Sequence, residues 1–588
     1  MNLSDYINES NKLIRDNSMR EVKIAFLSNF TVTGIAEVMK VLCFKHKIYA
    51  ESYISPYNQY IQDILNKSSE LYNFRPNIIF ILLDLENLFS DFYYFPYRIE
   101  NQQRRDFIQE RFNWIKKLIE TLKKDTNAKI IVNNLLIPTY SSRGIIENKQ
   151  EGGIRKCINY FNNMLESLSV EDAQLFIFDM NLFCSMMGYD NMYDKKMNYL
   201  GDMKFSPSAL IKLGFSYMAY IFPLMSITKK CIVLDLDNTL WGGIIGEDNI
   251  ENINLGPEKE GKPFLDFQRR LLELFERGII LAINSKNNYE DSIEFIRSYK
   301  YMVLRESNFA SIKINWQDKV TNMREIAKEL DINLDSFVFI DDDKTNRELI
   351  KKVLPEVLVV DLPEDPCFYA NVIEELVVFN LFNITDDDLN RGKMYIDQKK
   401  REQFKLEVTD LDSFLKQLEI KVNIRQVDRM AIPRIAQLTQ KTNQFNLTTK
   451  RYQEEDIKNL LELEEYIINY IDVKDKFGDY GIIGVVIIKM DNIRNYWDID
   501  TFLLSCRILG KNIEFSLMQS IIDNAKKSGV RKLCGKFIST KKNKPAEKFL
   551  EECGFILDRE ENGEKYYILE DENKKIKGDY IKIIEWKH

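Results

Sequence analysis

Histidine is almost missing from this sequence: His46 and His588 are the only two among 588 residues. His46 lies between lysines in FKHKIY, and His588 ends the chain. Chemistry built on a histidine base or an imidazole-rich metal centre is thereby all but excluded. Cysteine is sparse as well. Eight are scattered with no CxxC and no pairing intervals, which excludes a disulfide framework and points to a reducing, cytoplasmic setting. Long apolar runs are lacking; NIIFILLDL and YMAYIFPLM fall well short of the roughly 20 residues that span a bilayer. The opening MNLSDYINESNKLIRDNSMR is too polar for a signal peptide. Nor is there a surplus of basic charge: 82 Lys and Arg are interleaved with 90 Asp and Glu, for a net charge of −8. Neither a membrane nor nucleic acid is expected as a partner.

What remains is an ordinary globular composition, 45% hydrophobic and 29% charged, in a chain too long for one core. Three or four domains are expected. Strand-like runs recur at VKIAFLS (22–28), NIIFILLDL (77–85), AKIIVNNLL (128–136) and AQLFIFDMN (173–181). Helix-length segments separate them, the pattern of a parallel α/β layer, which is expected to span residues 1–225. A second alternation, 226–370, offers CIVLDLD, IILAINS, SFVFIDDD and EVLVVDLP as strands. Between them, Phe264, Phe267, Leu271 and Phe275 at 3–4 spacing predict a helix closed by Gly278. Met323, Ile326, Ala327 and Leu330 predict another. Residues 371–415 read as a charged helical connector. Residues 416–588 mix strands (YGIIGVVIIKM, DTFLLSCRIL, KLCGKFIS) with two helices. The fold class is α/β and multidomain.

The second alternation carries the chemistry. In VLDLDNTLWGG (233–243) an apolar strand runs into Asp235 and Asp237. Like charges that close raise one another's pKa unless a cation or a charged substrate sits between them. In open parallel sheets ligands bind at the carboxyl ends of the strands. Ser285 ends one such strand, Asp341, Asp342 and Asp343 end another, and Lys319 opens the helix between them. Clustered carboxylates with one hydroxyl and one amine suit a small phosphorylated substrate and Mg²⁺, which prefers hard oxygen ligands. The lysine balances charge when a carboxylate attacks phosphorus.

DLDNT, Ser285, Lys319 and IDDD, in this order, resemble the four motifs of haloacid-dehalogenase (HAD) phosphotransferases. VLDLDNTLWGGIIGED, INWQDKVTNMREIAKELDINLDSFVFIDDD and RIAQLTQKTNQFNLTTKRY are similar to the FkbH-like branch, subfamily IIIC, over nearly the whole chain. The resemblance implies a Rossmann-like HAD core with Asp235 as nucleophile and Asp237 as general acid/base. It implies phosphate binding by Ser285, Lys319 and Asn238. Mg²⁺ would be held by Asp235, Asp341, Asp342 and the backbone carbonyl of Asp237, with Thr239 tightening the loop. It further implies an acyl phosphate substrate such as 1,3-bisphosphoglycerate, whose glyceryl group passes to the phosphopantetheine arm of an acyl carrier protein in polyketide-type biosynthesis. Two positions depart from the pattern. Leu236 stands where loading relatives carry an acyl-bearing cysteine, which keeps a plain phosphatase and a carrier-protein scaffold open as alternatives. Asp343 stands where relatives have Asn-Pro, and is expected to face solvent. Cys231 reads as core packing.

In the last unit, Asn543, Ala546, Phe549, Gly554 and Phe555 resemble a segment of GNAT acyltransferases, implying an α+β domain. That resemblance assigns CoA or phosphopantetheine binding to Arg507, Gly510 and Asn543. A helix N-terminus after Gly510 favours a pyrophosphate, although Asn512 would crowd it. Cys506 reads as a buried core thiol. The first unit resembles an SGNH hydrolase, with Ser28 as nucleophile and Asn133 as a distant oxyanion donor. YDKKMNYLGDMKFSP supplies no histidine for that chemistry, so the unit is expected to be non-catalytic, a platform for substrate or carrier protein.

Overall fold

Apolar runs buried on both faces become parallel strands joined by helical crossovers. In the computed structural model, β1 (Arg20–Ser28), β2 (Ile48–Ile54), β3 (Ile78–Leu82), β4 (Lys129–Asn133) and β5 (Leu175–Phe178) form one parallel sheet, ordered β2-β1-β3-β4-β5. All residues are described except 17, 171, 247–251, 409, 492, 541, 562, 570–580 and 587–588, and except the side chains of 403, 406, 407, 411, 412, 506 and 582–586. His588 and the side chain of Cys506 thus lie outside the described residues.

Every residue of β3 is buried, and its alternation splits the core in two. Ile79 and Ile81 join Ile115 and Ile119 of the helix Asn101–Asp125 and Phe161 of the helix Ile154–Ser169. On the other face Phe80 stacks on Tyr217 at 4.0 Å. The helices Ile35–Lys45 and Pro207–Leu224 meet there at Gly214, where a Cβ would lie 2.5 Å from Val38 Cγ1. His46 packs edge-on against Phe222 at 4.8 Å, a packing role. These elements, residues 1–228 with 380–382, make one compact unit; residues 229–379 with 383–588 make the other.

In the second unit, β6 (Cys231–Leu234), β7 (Ile280–Ser285), β8 (Phe309–Ile314), β9 (Phe337–Asp341) and β10 (Leu358–Asp361) form a parallel sheet ordered β10-β9-β6-β7-β8. The chain winds from β6 to β7 and β8, then returns to β6's other side for β9 and β10. The carboxyl end of β6 is therefore the switch point of the sheet, where a crevice opens. Cys231, fully buried, belongs to the core beneath it with Phe337, Phe339, Met323 and Ile326. The helix Lys262–Glu276 is followed by Gly278, at φ +92°, where a Cβ would meet the Asp388 carbonyl at 1.5 Å. Glycine is needed there both for the left-handed turn and for the close approach of the connector. The connector contains the helices Asp386–Leu389, Arg391–Glu407 and Leu411–Gln417.

A second, largely antiparallel sheet runs β17-β18-β16-β15-β14-β13-β11-β19, from β11 (Lys421–Gln426), β13 (Tyr466–Asp475), β14 (Gly478–Asp491), β15 (Tyr496–Leu504), β16 (Lys532–Ile538), β17 (Ile556–Glu561), β18 (Glu564–Leu569) and β19 (Lys582–Trp586). β15 and β16 are parallel and pair only over Tyr496–Ile499 and Lys532–Gly535. Beyond that they part, and β12 (Phe445–Asn446) pairs with the freed edge of β15. Leu447 then donates to the Phe502 carbonyl at 3.1 Å and accepts from the Ile538 amide at 2.9 Å, bridging both strands.

Candidate active site

Strand pairing sets the acids in place. The Asp235 amide donates to the Ile340 carbonyl at 3.0 Å, extending the β6–β9 pairing by one residue, so Asp235 lies beside Asp341 at the end of β9. Leu234 pairs with Ile283 of β7, which sets Ser285, buried, level with residue 236. Lys319 is the first residue of the helix Lys319–Glu329, capped by Asp318, whose carboxylate accepts from the Thr321 amide at 2.9 Å. Asn284 at the end of β7 pins that helix start by donating to the Lys319 carbonyl at 2.9 Å.

The Lys319 ammonium, with 2% of its side chain exposed, lies 2.8 Å from Asp235 Oδ1 and 2.5 Å from Asp341 Oδ2. Burial alone would lower its pKa, but the charges of Asp235 and Asp341 outweigh burial and hold it raised. Asp235 Oδ1 is buried and faces this ammonium without a well-aligned hydrogen bond. Among the described residues, Asp235, Asp341 and Asp342 each offer an oxygen, and the three lie within 4.8 Å of one another. Three hard carboxylates against one ammonium, with one buried oxygen lacking a hydrogen bond, fit a Mg²⁺ ion. The pKa of Asp341 is raised, by burial first and by Asp235 second.

Asp237 stands apart from these three acids. Its carboxylate accepts from Trp241 Nε1 at 3.0 Å, the Ile245 amide at 3.2 Å and Asn287 Nδ2 at 2.7 Å. Burial pushes its pKa up to about 6, nearer neutrality than an ordinary carboxyl. Asp342, pushed up to about 6 by burial and by Asp235 and Asp341, is linked to Thr239 Oγ1 at 3.2 Å. Asn238 adopts φ +54°, and its Oδ1 accepts from the Gly243 amide at 2.9 Å. Its side chain thus closes the loop on itself. Leu236 is fully buried and occupies core. Asp343 is exposed and caps the helix Lys344–Val353 through the Thr345 amide at 2.7 Å.

Three partners escaped the sequence reading. Asn287 and Trp241 fix the Asp237 carboxylate, and Arg347 donates to the carbonyls of Asp341 at 2.8 Å and Asp342 at 2.5 Å. The available signal was proximity: each lies within six residues of an acid or of Ser285.

The remaining predicted residues fall into three other places. Arg507 and Gly510 line a cavity of about 300 Å³ with Arg401, Glu402 and Lys405, but Arg507 is turned to Met394 Sδ at 2.9 Å. Asn543 is fully buried elsewhere; it accepts from the Thr540 amide at 2.7 Å and donates to the carbonyls of Asn446 at 3.0 Å and Ile538 at 2.9 Å. In the first unit, Ser28 Oγ accepts from the Phe30 amide at 3.2 Å, and Asn133 is bound to the Leu83 backbone.

Residues 23–218 match the family model described as FkbH, N-terminal domain. No curated protein matches the chain. Among solved structures, the N-terminal part of the protein BF1531 from Bacteroides fragilis, which contains a phosphatase domain and is complexed with Mg, is 26% identical. That match covers 65% of this chain and all of the other, with a TM-score of 0.59. Spermidine N-acetyltransferase from Vibrio cholerae, in complex with CoA and spermine, is 14% identical over 25% of this chain and 92% of the other, with a TM-score of 0.20.

Proposed function

We propose, for a chain that belongs to the FkbH-like family of HAD proteins, that it is a Mg²⁺-dependent enzyme of the phosphatase type acting at Asp235. One observation carries the reading: Lys319 lies between Asp235 and Asp341 at the switch point of a parallel sheet, with Asp342 completing a cluster of oxygens within 4.8 Å. Asp235 attacks phosphorus; an aspartyl-phosphate bond forms and the bond to the leaving oxygen breaks, while Asp237 gives that oxygen a proton. Water then attacks the phosphorus, Asp237 takes its proton, and phosphate departs with Asp235 restored. Ser285 and Lys319 hold the phosphoryl oxygens. Asp235, Asp341, Asp342 and the Asp237 carbonyl would hold Mg²⁺, which would supply positive charge against those oxygens.

The substrate we favour is a small acyl phosphate of the 1,3-bisphosphoglycerate kind, because its two phosphates divide the chemistry. The thiolate of an acyl carrier protein's phosphopantetheine arm attacks the acyl carbon; a C–S bond forms and the C–O bond to phosphate breaks. The remaining phosphate ester is hydrolysed at Asp235. Plain hydrolysis without transfer is the second reading, and it is favoured by the burial of Leu236 and Cys231, neither of which offers an enzyme thiol to the crevice. The intact set Asp235, Asp237, Ser285, Lys319 and Asp341 counts against a scaffold with no activity. Cysteine usage favours work in the cytoplasm; among the described residues no helix is long and apolar enough to cross a membrane.

The test incubates the protein with Mg²⁺, a carrier protein and acyl-labelled bisphosphoglycerate. Phosphate release with carrier labelling supports transfer, and release without labelling supports hydrolysis. Asp235→Asn should keep the fold by circular dichroism and lose at least a thousandfold in phosphate release; activity near wild type removes Asp235 from the mechanism.

A further inference from the structure

The first unit holds a crevice of its own. Its sheet reverses winding between β1 and β3, and a cavity of about 250 Å³ lies at the carboxyl ends of its strands, where open parallel sheets take ligands. Asp84 and Glu86, just past β3, line it with Tyr93, Tyr193, Asn198 and Phe205.

The charges of this lining point to the ligand's chemistry. Lys204, with 4% of its side chain exposed, meets Asp84 at 3.4 Å, Glu86 at 2.8 Å and Asp202 at 3.0 Å. Two carboxylates of the lining, Asp84 and Glu86, and Asp202 outside it surround this one ammonium and leave negative charge in excess around it. Lys195, at the exposed rim, pairs with Asp190 at 3.4 Å. Acceptors remain open beside Glu86, which itself already accepts from Tyr94 and from Lys204 at 2.8 Å. Asn198 Oδ1 is buried without a hydrogen-bond partner, which is costly unless a donor arrives. The Asp84 carboxylate meets Lys204, the Glu86 amide at 2.9 Å and the Asn87 amide at 3.2 Å through Oδ2. Around these oxygens stand ring pairs, Tyr189 with Tyr193 at 4.8 Å and Phe30 with Phe205 at 5.4 Å, and ring faces attract cations.

We propose that this cavity binds the ammonium group of a small primary amine, its N–H groups donated to Asp84, Glu86 and Asn198 and its alkyl part enclosed by Tyr93, Tyr193 and Phe205. Lys204 is already committed to three carboxylates, so an anion gains little there. The site is independent of the phosphatase reading.

Titration calorimetry of the full chain with n-butylammonium chloride tests it, with saturating Mg²⁺ present to occupy the acidic site of the second unit. Saturable binding is expected, weakened at least tenfold in Glu86→Gln and in Asn198→Leu. If Glu86→Gln fails to fold by circular dichroism, the half-buried Asn198→Leu carries the comparison. The proposal is overturned if binding is not saturable, if Asn198→Leu binds as tightly as wild type, or if inorganic phosphate binds the cavity in place of the amine.

Discussion

Lys319→Met keeps the length of the buried stem and removes only its charge. That ammonium lies 2.8 Å from Asp235 and 2.5 Å from Asp341, and its loss leaves three carboxylates with oxygens within 4.8 Å of one another. At an effective dielectric of about 20, two unit charges roughly 5 Å apart repel by about 3 kcal/mol. Removing one partner of a buried ion pair costs about 3–5 kcal/mol for the same reason. The metal-free variant should therefore melt well below wild type in the transition of the second unit. A divalent cation relieves the repulsion that the lysine had neutralised. Mg²⁺ should accordingly bind the variant at least tenfold more tightly, about 1.4 kcal/mol, even while phosphate release collapses because nothing offsets the charge that builds on the phosphoryl oxygens. Titration calorimetry on chelator-stripped protein reads the affinity, and scanning calorimetry in EDTA and in Mg²⁺ reads the stability. A variant with wild-type Mg²⁺ affinity and an unchanged melting temperature in EDTA would refute the idea that these groups share one electrostatic site.

Three further outcomes are expected. Asp237 and Asp342 titrate at about 6 instead of 3.8, chiefly through burial; their protonation favours the folded form, so this stabilisation is full below about pH 4 and lost as pH rises through 6. In EDTA the second unit should melt higher at pH 5 than at pH 7.5, and by a smaller margin in Asp342→Asn; an undiminished margin in that variant counts against the assignment. Trp241→Phe removes a donor that favours the charged form of Asp237, so the pH profile of phosphate release should move upward, and a profile that stays in place rejects the acid/base role. Asn543→Ala strips buried hydrogen bonds to Thr540, Asn446 and Ile538 and should cost at least about 1–3 kcal/mol; urea denaturation with no loss of stability would show those bonds to be dispensable.

The acid-bearing strands were legible because each is a short, wholly buried run that ends abruptly in charge. All four residues of β6 and all five of β9 are buried, and a buried strand cannot carry a carboxylate except at its end. β8, FASIKI, was not legible: Ile312 and Lys313 are only half-buried and Lys313 reaches out to Glu325 and Glu329. β2, IYAESYI, lies at the sheet edge, and a half-exposed edge strand loses the apolar continuity that marks its neighbours. The position of Lys319 could be read from its place at a helix start, but its burial between two acids is a tertiary fact. Asn287 and Arg347 carry no charge pattern or spacing that separates them from surface residues.

The last unit shows where resemblance stops being informative. Arg507 and Gly510 are expected from resemblance alone to meet a pyrophosphate, and Gly510 has φ +77° with open space around it. A loop sequence specifies backbone shape, whereas a ligand site also needs side chains left free to meet the ligand. Here Arg507 is drawn to Met394 of the connector helix and to Asp387 at 4.0 Å. The gap between β15 and β16 is bridged by Leu447, through the Phe502 carbonyl and the Ile538 amide. Asn543 braces that bridge from behind through Asn446. The backbone groups that a parting of two strands would otherwise leave unpaired are thus satisfied by the chain itself, as buried peptide groups demand.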